Sequence, residues 1–243
     1  CSSSVPMNIV LFEKNETGTR FERNDIRINH VTEILGRKEG DSFNAGIVNG
    51  KSGKAILSRI REKSVELQFE LDREEPPLPP IDVVVGLSRP QTSRKILQEA
   101  TTVGARSLTF VSTERGEPSY ANSKLWKTGE WRRHVVAGAA QAFSTRIPSV
   151  VFGISFEEAI TQLDCGGERI ALDNYEAKHH LADIPFSQSS IVVAIGSERG
   201  WTISERKALR AGEFELAHIG DRPLRTETAV VAGLALLNHR LRS

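Results

Sequence analysis

The chain has 243 residues, 39% of them hydrophobic and 26% charged, an ordinary make-up for a globular protein of one large or two smaller domains. Its 32 Lys and Arg against 31 Asp and Glu leave a net charge of +1, so bulk charge offers no case for a polyanionic partner. Two cysteines, Cys1 and Cys165, exclude a disulfide framework and a cysteine metal site, and no apolar run approaches the roughly 18 residues that a membrane span needs. The expected setting is therefore cytoplasmic, with no membrane and no metal. Cys1 to Pro6, ahead of Met7, reads as an added leader and is left out of the fold reading.

From Met7 onward the first part reads mainly as strands. Residues 8–12 form a short apolar run. Runs 42–48 and 54–60 flank Asn49-Gly50-Lys51-Ser52-Gly53, whose glycines permit a hairpin. Residues 65–71 alternate apolar and polar with period two, the mark of a half-buried strand. One helix is predicted over 25–35, with Ile28, Val31, Ile34 and Leu35 on one face. Five or so strands and one helix suggest a small barrel with a binding or positioning role.

Glu74-Glu75-Pro76-Pro77-Leu78-Pro79-Pro80 then breaks the pattern, because proline can continue neither a helix nor a central strand. Domains are expected over 7–75 and 76–243. The second part alternates strand and helix. Strands are predicted at 81–87, 108–111, 169–172, 191–195 and 214–219. Helices are predicted around 96–103, 124–143, 156–163, 204–211 and 226–241. This alternation implies an α/β fold with a parallel sheet covered on its faces. Ligands of such sheets lie beyond the C-terminal strand ends, after Leu87, Leu172, Ile195 and Ile219. Between Arg89 and Arg146 stand ten basic residues against four acidic ones, a local excess that suits either a phosphate-facing surface or a pair of solvated helix faces.

Two of these strand ends carry glycine loops. The first reads Gly196-Ser197-Glu198-Arg199-Gly200-Trp201-Thr202-Ile203-Ser204-Glu205, in which Thr202-x-x-Glu205 fits a helix capping box. Missing side chains at the glycines let a ligand approach the backbone, or serve only a tight strand-to-helix turn. It is neither G-x-G-x-x-G nor a Walker loop, and Gly86-Leu87-Ser88 follows the first strand, which argues against a nucleotide-dependent oxidoreductase. The second reads Ile219-Gly220-Asp221-Arg222-Pro223-Leu224-Arg225-Thr226-Glu227-Thr228-Ala229. Its two arginines can bind phosphate through forked hydrogen bonds, or pair with Glu198 or Glu227 and hold the loops. Trp201 is a candidate stacking surface, or it packs beneath its loop.

Together these motifs resemble the bacterial 16S ribosomal RNA uridine-N3 methyltransferase family of the SPOUT class. Ser88-Arg89 to Leu97, Trp131-Arg132-Arg133 to Pro148, and His30 to Leu35 extend the similarity over nearly the whole chain. Where the family has G-P-E-G-G this chain has Gly196-Ser197-Glu198-Arg199-Gly200. The resemblance implies an N-terminal PUA-like β-barrel followed by a parallel-sheet SPOUT domain with a C-terminal trefoil knot. It also implies a homodimer, S-adenosylmethionine as cofactor, and ribosomal RNA or the small-subunit particle as partner.

Carried over by residue, the cofactor would contact Leu172, Asp173 and Asn174 in one loop. Ile195, Gly196, Glu198 and Gly200 would contact it from the next, and Ile219, Gly220 and Leu224 from the last. Arg222 and Arg225 are the expected catalytic residues, stabilising charge on the base or holding its phosphate. Arg89, Arg94, Lys95, Arg132, Arg133 and Arg146 are the expected RNA contacts. A different target nucleotide, or an inactive RNA-binding homologue, are the alternatives.

Overall fold

The computed structural model describes residues 8–17, 20–163, 166–185 and 190–242; Cys1, Met7 and Cys165 lie outside them. The chain forms two compact units, Cys1–Pro77 with Ala139–Ile147, and Leu78–Gly138 with Pro148–Ser243.

In the first unit, β1 (Val10–Phe12), β2 (Arg20–Glu22), β3 (Ser42–Ile47), β4 (Ser52–Ile60) and β5 (Ser64–Arg73) make one sheet in the order β1-β3-β4-β5-β2. The pairing is antiparallel apart from β1 with β3. Alternate residues of β4 and β5, among them Ala55, Leu57, Val65 and Leu67, are buried with Phe12, Phe21, Ile28 and Val31. The helix α1 (Ile26–Asn29) opens with Asp25 accepting from the Arg27 N–H, then widens into a π-turn over His30–Ile34. That widening corrects the expected helix face. Ile28 and Val31 are buried, but the extra residue in the turn rotates Ile34 and Leu35 into solvent, 73% and 46% exposed.

Residues 139–147 belong to this unit through backbone bonds. The Ile9 N–H donates to the Ala140 carbonyl, and the Asn49 N–H to the Thr145 carbonyl at 2.7 Å. The Thr145 hydroxyl donates to the Gly50 carbonyl at 2.6 Å.

The second unit is an α/β sandwich on a seven-stranded, all-parallel sheet. Its strands are β6 (Ile81–Gly86), β7 (Ser107–Ser112), β8 (Ser149–Ser155), β9 (Glu168–Leu172), β10 (His179–His180), β11 (Ile191–Ile195) and β12 (Glu215–His218). Their order is β10-β12-β9-β11-β6-β7-β8. Every residue of β11 is buried, as expected for a central parallel strand covered on both faces.

Its helices are α2 (Pro90–Val103), α3 (Lys124–Lys127), α4 (Trp131–Gln141), α5 (Phe156–Thr161), α6 (Ile203–Ala211) and α7 (Thr226–Arg240). Alternate residues of the sheet bury Val84, Val111, Ala171 and Ala194 among Phe156, Trp201, Leu209 and Phe214 on one face. On the other, α7 packs on α2, β6 and β11. Each valine, leucine or phenylalanine so buried is worth about 1.5–3 kcal/mol.

The single helix expected over 124–143 is divided, because Gly129 adopts φ +72° between α3 and α4. The strand β8, which the sequence reading omits, is an edge strand whose pairing with β7 shifts between Phe110 and Val111; Gly153 turns left-handed there at φ +83°. Among the described residues no helix is long and apolar enough to cross a membrane. Nor does any group of three or more His, Cys, Asp or Glu form that could hold a metal ion.

Candidate functional site

The strands β9, β11 and β12 are neighbours in register, so the loops leaving their C-terminal ends meet. They enclose a cavity of about 590 Å³ in the second unit. Its wall contains Leu172, Asp173, Asn174 and Tyr175 from the first loop, Ile195 to Trp201 from the second, and Ile219 with Pro223 to Glu227 from the third. Arg89 and Thr92 at the start of α2 complete it. Of the expected cofactor contacts, only Gly220 lies outside the wall; of the expected catalytic pair, Arg225 lines the cavity and Arg222 does not.

The glycine loop after β11 is pinned from several sides. It runs so close over β6 that a Cβ on Gly86 would come within 2.3 Å of the Ser197 nitrogen, which only glycine tolerates. Gly200 turns the chain at φ +64°, a left-handed conformation that other residues resist. Trp201, expected as a stacking surface, is 1% exposed. Its indole N–H donates to the Leu172 carbonyl at 3.0 Å, and its ring lies 5.1 Å from Phe156. It is a wedge under the loop, tying β9 to β11.

Beyond it, Thr202 and Glu205 close the capping box of α6 in both directions. The other oxygen of the buried Glu205 accepts the Glu114 N–H at 2.8 Å. The Ser204 hydroxyl donates to the Glu114 carboxylate, and this bond first, then one from Thr202, holds that carboxyl below the usual range.

Glu198 serves the loop differently: its carboxylate accepts the N–H of Arg89, the residue just ahead of α2, at 3.1 Å. The loop after β9 is fixed by Asp173. One carboxylate oxygen accepts from the N–H groups of Tyr175 and Glu176, at 2.9 and 2.6 Å. The other accepts from Arg206 Nε at 2.7 Å, in a pair whose side chains are 2% and 7% exposed. Asp173 and Arg206 thus bind α6 to the first loop. Sequence reasoning missed Arg206, whose partner lies far away along the chain, and Tyr175, which no periodicity marks.

The loop after β12 is built more sparsely. The Gly220 N–H donates to His218 Nδ1 at 3.3 Å, and Gly220 sits at φ +126° with open space beside it. Arg222, Leu224 and Arg225 are exposed. Neither guanidinium engages another side chain among the described residues. Glu198 and Glu227, the alternative partners, are taken by the Arg89 N–H and by Lys95 at 3.4 Å.

The expected RNA contacts fall into separate places. Arg89 lies at the cavity and Lys95 six residues further along, on α2. Arg94 pairs with Glu130 at 2.9 Å, and Arg133 approaches the same carboxylate at 3.7 Å. Arg132 is exposed on α4. Arg146 belongs to the first unit, where its guanidinium donates to the carbonyls of Asn49 and Glu75, at 3.3 and 3.0 Å. That is the geometry of a structural clasp.

Comparison with known proteins agrees with this architecture. A family model for the RNA methyltransferase domain matches residues 74–238. A ribosomal RNA small subunit methyltransferase E from Treponema pallidum is 35% identical over 95% of this chain and 90% of its own length. Ribosomal RNA small subunit methyltransferase E 1 from Borreliella burgdorferi is 30% identical, over 97% and 99%. Among solved structures, the ribosomal RNA small subunit methyltransferase E from Neisseria gonorrhoeae, bound to S-adenosyl methionine, superposes with a TM-score of 0.76 at 22% identity. That match covers 96% of this chain and 98% of the other.

Proposed function

Since this chain belongs to the ribosomal RNA small subunit methyltransferase E family, we propose that it methylates N3 of a uridine in 16S ribosomal RNA, using S-adenosylmethionine held in the cavity of the second unit. The observation that carries this reading is the convergence of three strand-end loops, two with glycines, on one 590 Å³ cavity.

The residues present fit that cofactor. Gly196 and Gly200 place backbone instead of side chain against the cavity, and Leu172, Ile195 and Ile219 supply apolar wall. The first turns of α2 and α7 open onto it, so the positive ends of two helix dipoles are available to a carboxylate. Bound there, the cofactor supplies an electrophilic methyl group on a sulfonium. The protein's own part is positioning and electrostatics. Asp173, Arg206, Trp201 and Glu205 fix the loops. Arg225 stands in the wall with a guanidinium that no other side chain among the described residues engages, placed to stabilise negative charge as the uridine N3–H passes its proton to solvent. Arg222, in the same segment, holds the target's phosphate. The N3 edge is hidden in paired RNA, so the target base must be unstacked to react.

The same reading assigns the curled five-stranded sheet a PUA-like, RNA-positioning role over residues 7–75, with 76–243 as the knotted SPOUT domain. The path of α7, which leaves β12 yet packs on α2, β6 and β11, supports a threaded C-terminus. It assigns a homodimer, supported by Val231, Ala232, Ala235 and Leu236 on the side of α7 away from its buried residues. Arg89, Lys95, Arg132 and Arg133 remain the proposed backbone contacts to RNA, and affinity for RNA should fall steeply with added salt. With ribosomal RNA as substrate, the same reading assigns a cytoplasmic setting.

The test is nucleoside mass spectrometry of 16S RNA from cells lacking the protein, with and without re-expression. Loss and return of 3-methyluridine is the expected result. Unchanged 3-methyluridine in the deletion overturns the assignment, and the appearance of a different lost nucleoside would redirect it.

A further inference from the structure

The expected stacking aromatic, Trp201, is buried, yet the cavity has another aromatic in its wall. Tyr175 is 78% exposed. An exposed tyrosine needs no explanation when it stands alone on a surface, but this one is braced. Its backbone N–H donates to Asp173 Oδ1 at 2.9 Å, and Asp173 Oδ2 takes Arg206 Nε at 2.7 Å. The Arg206 guanidinium then lies 5.1 Å from the centre of the Tyr175 ring. Arg206 and Arg210 both reach Glu176, the next residue, at 3.7 and 2.6 Å. One face of the ring is therefore backed by a nearly buried cation, itself anchored on α6. The remaining exposure lies towards the cavity and solvent, at a loop end beside Gly200, whose Cβ position would be 3.9 Å from the ring.

We propose that Tyr175, held by Asp173 and Arg206, is the surface on which the target nucleobase stacks once it has left its RNA helix. This rests on the reading of the cavity as a methyl-transfer site. An unstacked base loses its neighbours and gains most from a rigid aromatic face. A ring whose orientation is fixed in advance avoids the cost of ordering it at binding. The carboxylate–guanidinium–tyrosine stack supplies that rigidity, and it leaves the ring as the exposed aromatic of the cavity wall. Trp201, with its indole N–H committed to the Leu172 carbonyl, is not available for this.

The experiment compares the wild type with Tyr175→Ala and Tyr175→Phe. It measures methyl transfer to small-subunit particles from cells lacking the enzyme, and S-adenosylhomocysteine affinity by calorimetry. Stacking on an aromatic side chain corresponds to a loss of about tenfold or more in kcat/KM for the RNA when the ring is removed. The expected result is that loss in Tyr175→Ala, recovery in Tyr175→Phe, and cofactor-product affinity within about twofold of wild type in both. Tyr175→Ala with wild-type kinetics overturns the inference. So does a parallel fall in S-adenosylhomocysteine affinity, which would put the ring on the cofactor side. A wild-type protein that transfers no methyl group to the particle overturns the function reading as well. The arms therefore separate the two failures.

Discussion

The loops after β11 and β12 share one cavity but are built in opposite ways. The first is over-determined: a buried tryptophan beneath it, a two-way capping box at its end, a carboxylate reaching across to α2, and backbone running against Gly86. The second carries Arg222, Leu224 and Arg225 into solvent with a single backbone-to-histidine bond near its start. A site that must hold a cofactor in one pose benefits from rigidity already present before binding. Cations that must meet a substrate arriving later are best left unengaged until it does. The contrast assigns cofactor anchoring to the braced loop after β11 and RNA-side charge to the arginines of the open one.

Four variants probe that division. Arg206→Ala removes the partner of a carboxylate that is 2% exposed, and leaving a buried charge uncompensated costs about 3–5 kcal/mol, measurable as a fall in urea midpoint. A midpoint near wild type would mean that the braced side is not braced by this pair.

Arg225→Ala should lower kcat by about 10²–10³-fold, the range for losing one preorganised charge-stabilising donor. Its folding stability should stay within about 0.5 kcal/mol, because the side chain is exposed and unpaired. Loss of folding stability would contradict the open character of its loop.

Gly86→Ala forces a Cβ against the Ser197 backbone, so the glycine loop must shift, at about 1–3 kcal/mol. Calorimetry should show weaker S-adenosylhomocysteine binding in this variant, although residue 86 is absent from the cavity wall.

The smallest effect belongs to Glu114→Gln. The Glu114 carboxyl lies below its ordinary value because Ser204 and then Thr202 hydrogen-bond to the charged form. With a folded value lower than the unfolded one, its contribution is complete above the ordinary carboxylate range and fades as pH falls through the folded value. The urea midpoints of wild type and variant should therefore differ at neutral pH and converge in acid.

How far the sequence spoke depended on whether the signal was local. β6 and β11 were legible because central parallel strands carry near-continuous apolar runs, here Val83 to Val85 and Ile191 to Ile195, and the loops after β11 and β12 because glycine follows each strand end. The cavity residues named from the motifs, apart from Gly220 and Arg222, come together in the structure. Trp201 was not legible, since an indole after a glycine reads the same whether it stacks on a ligand or wedges under a loop. Arg146 counted towards a basic stretch, but its carbonyl partners at Asn49 and Glu75 are set by the fold of the first unit. Arg206 and Tyr175 gained their meaning only when α6 was laid beside the loop after β9. The π-turn at His30–Ile34 likewise defeats helical periodicity, because one added residue changes which side chains share a face.

The division between braced and open loops is tested most directly by titrating S-adenosylhomocysteine into the Arg222→Ala/Arg225→Ala double variant in a calorimeter, with methyl transfer followed on the same preparation. The account predicts wild-type affinity for S-adenosylhomocysteine and no measurable transfer to RNA. Loss of S-adenosylhomocysteine binding in a folded double variant would contradict it, by making the two guanidinium groups cofactor contacts.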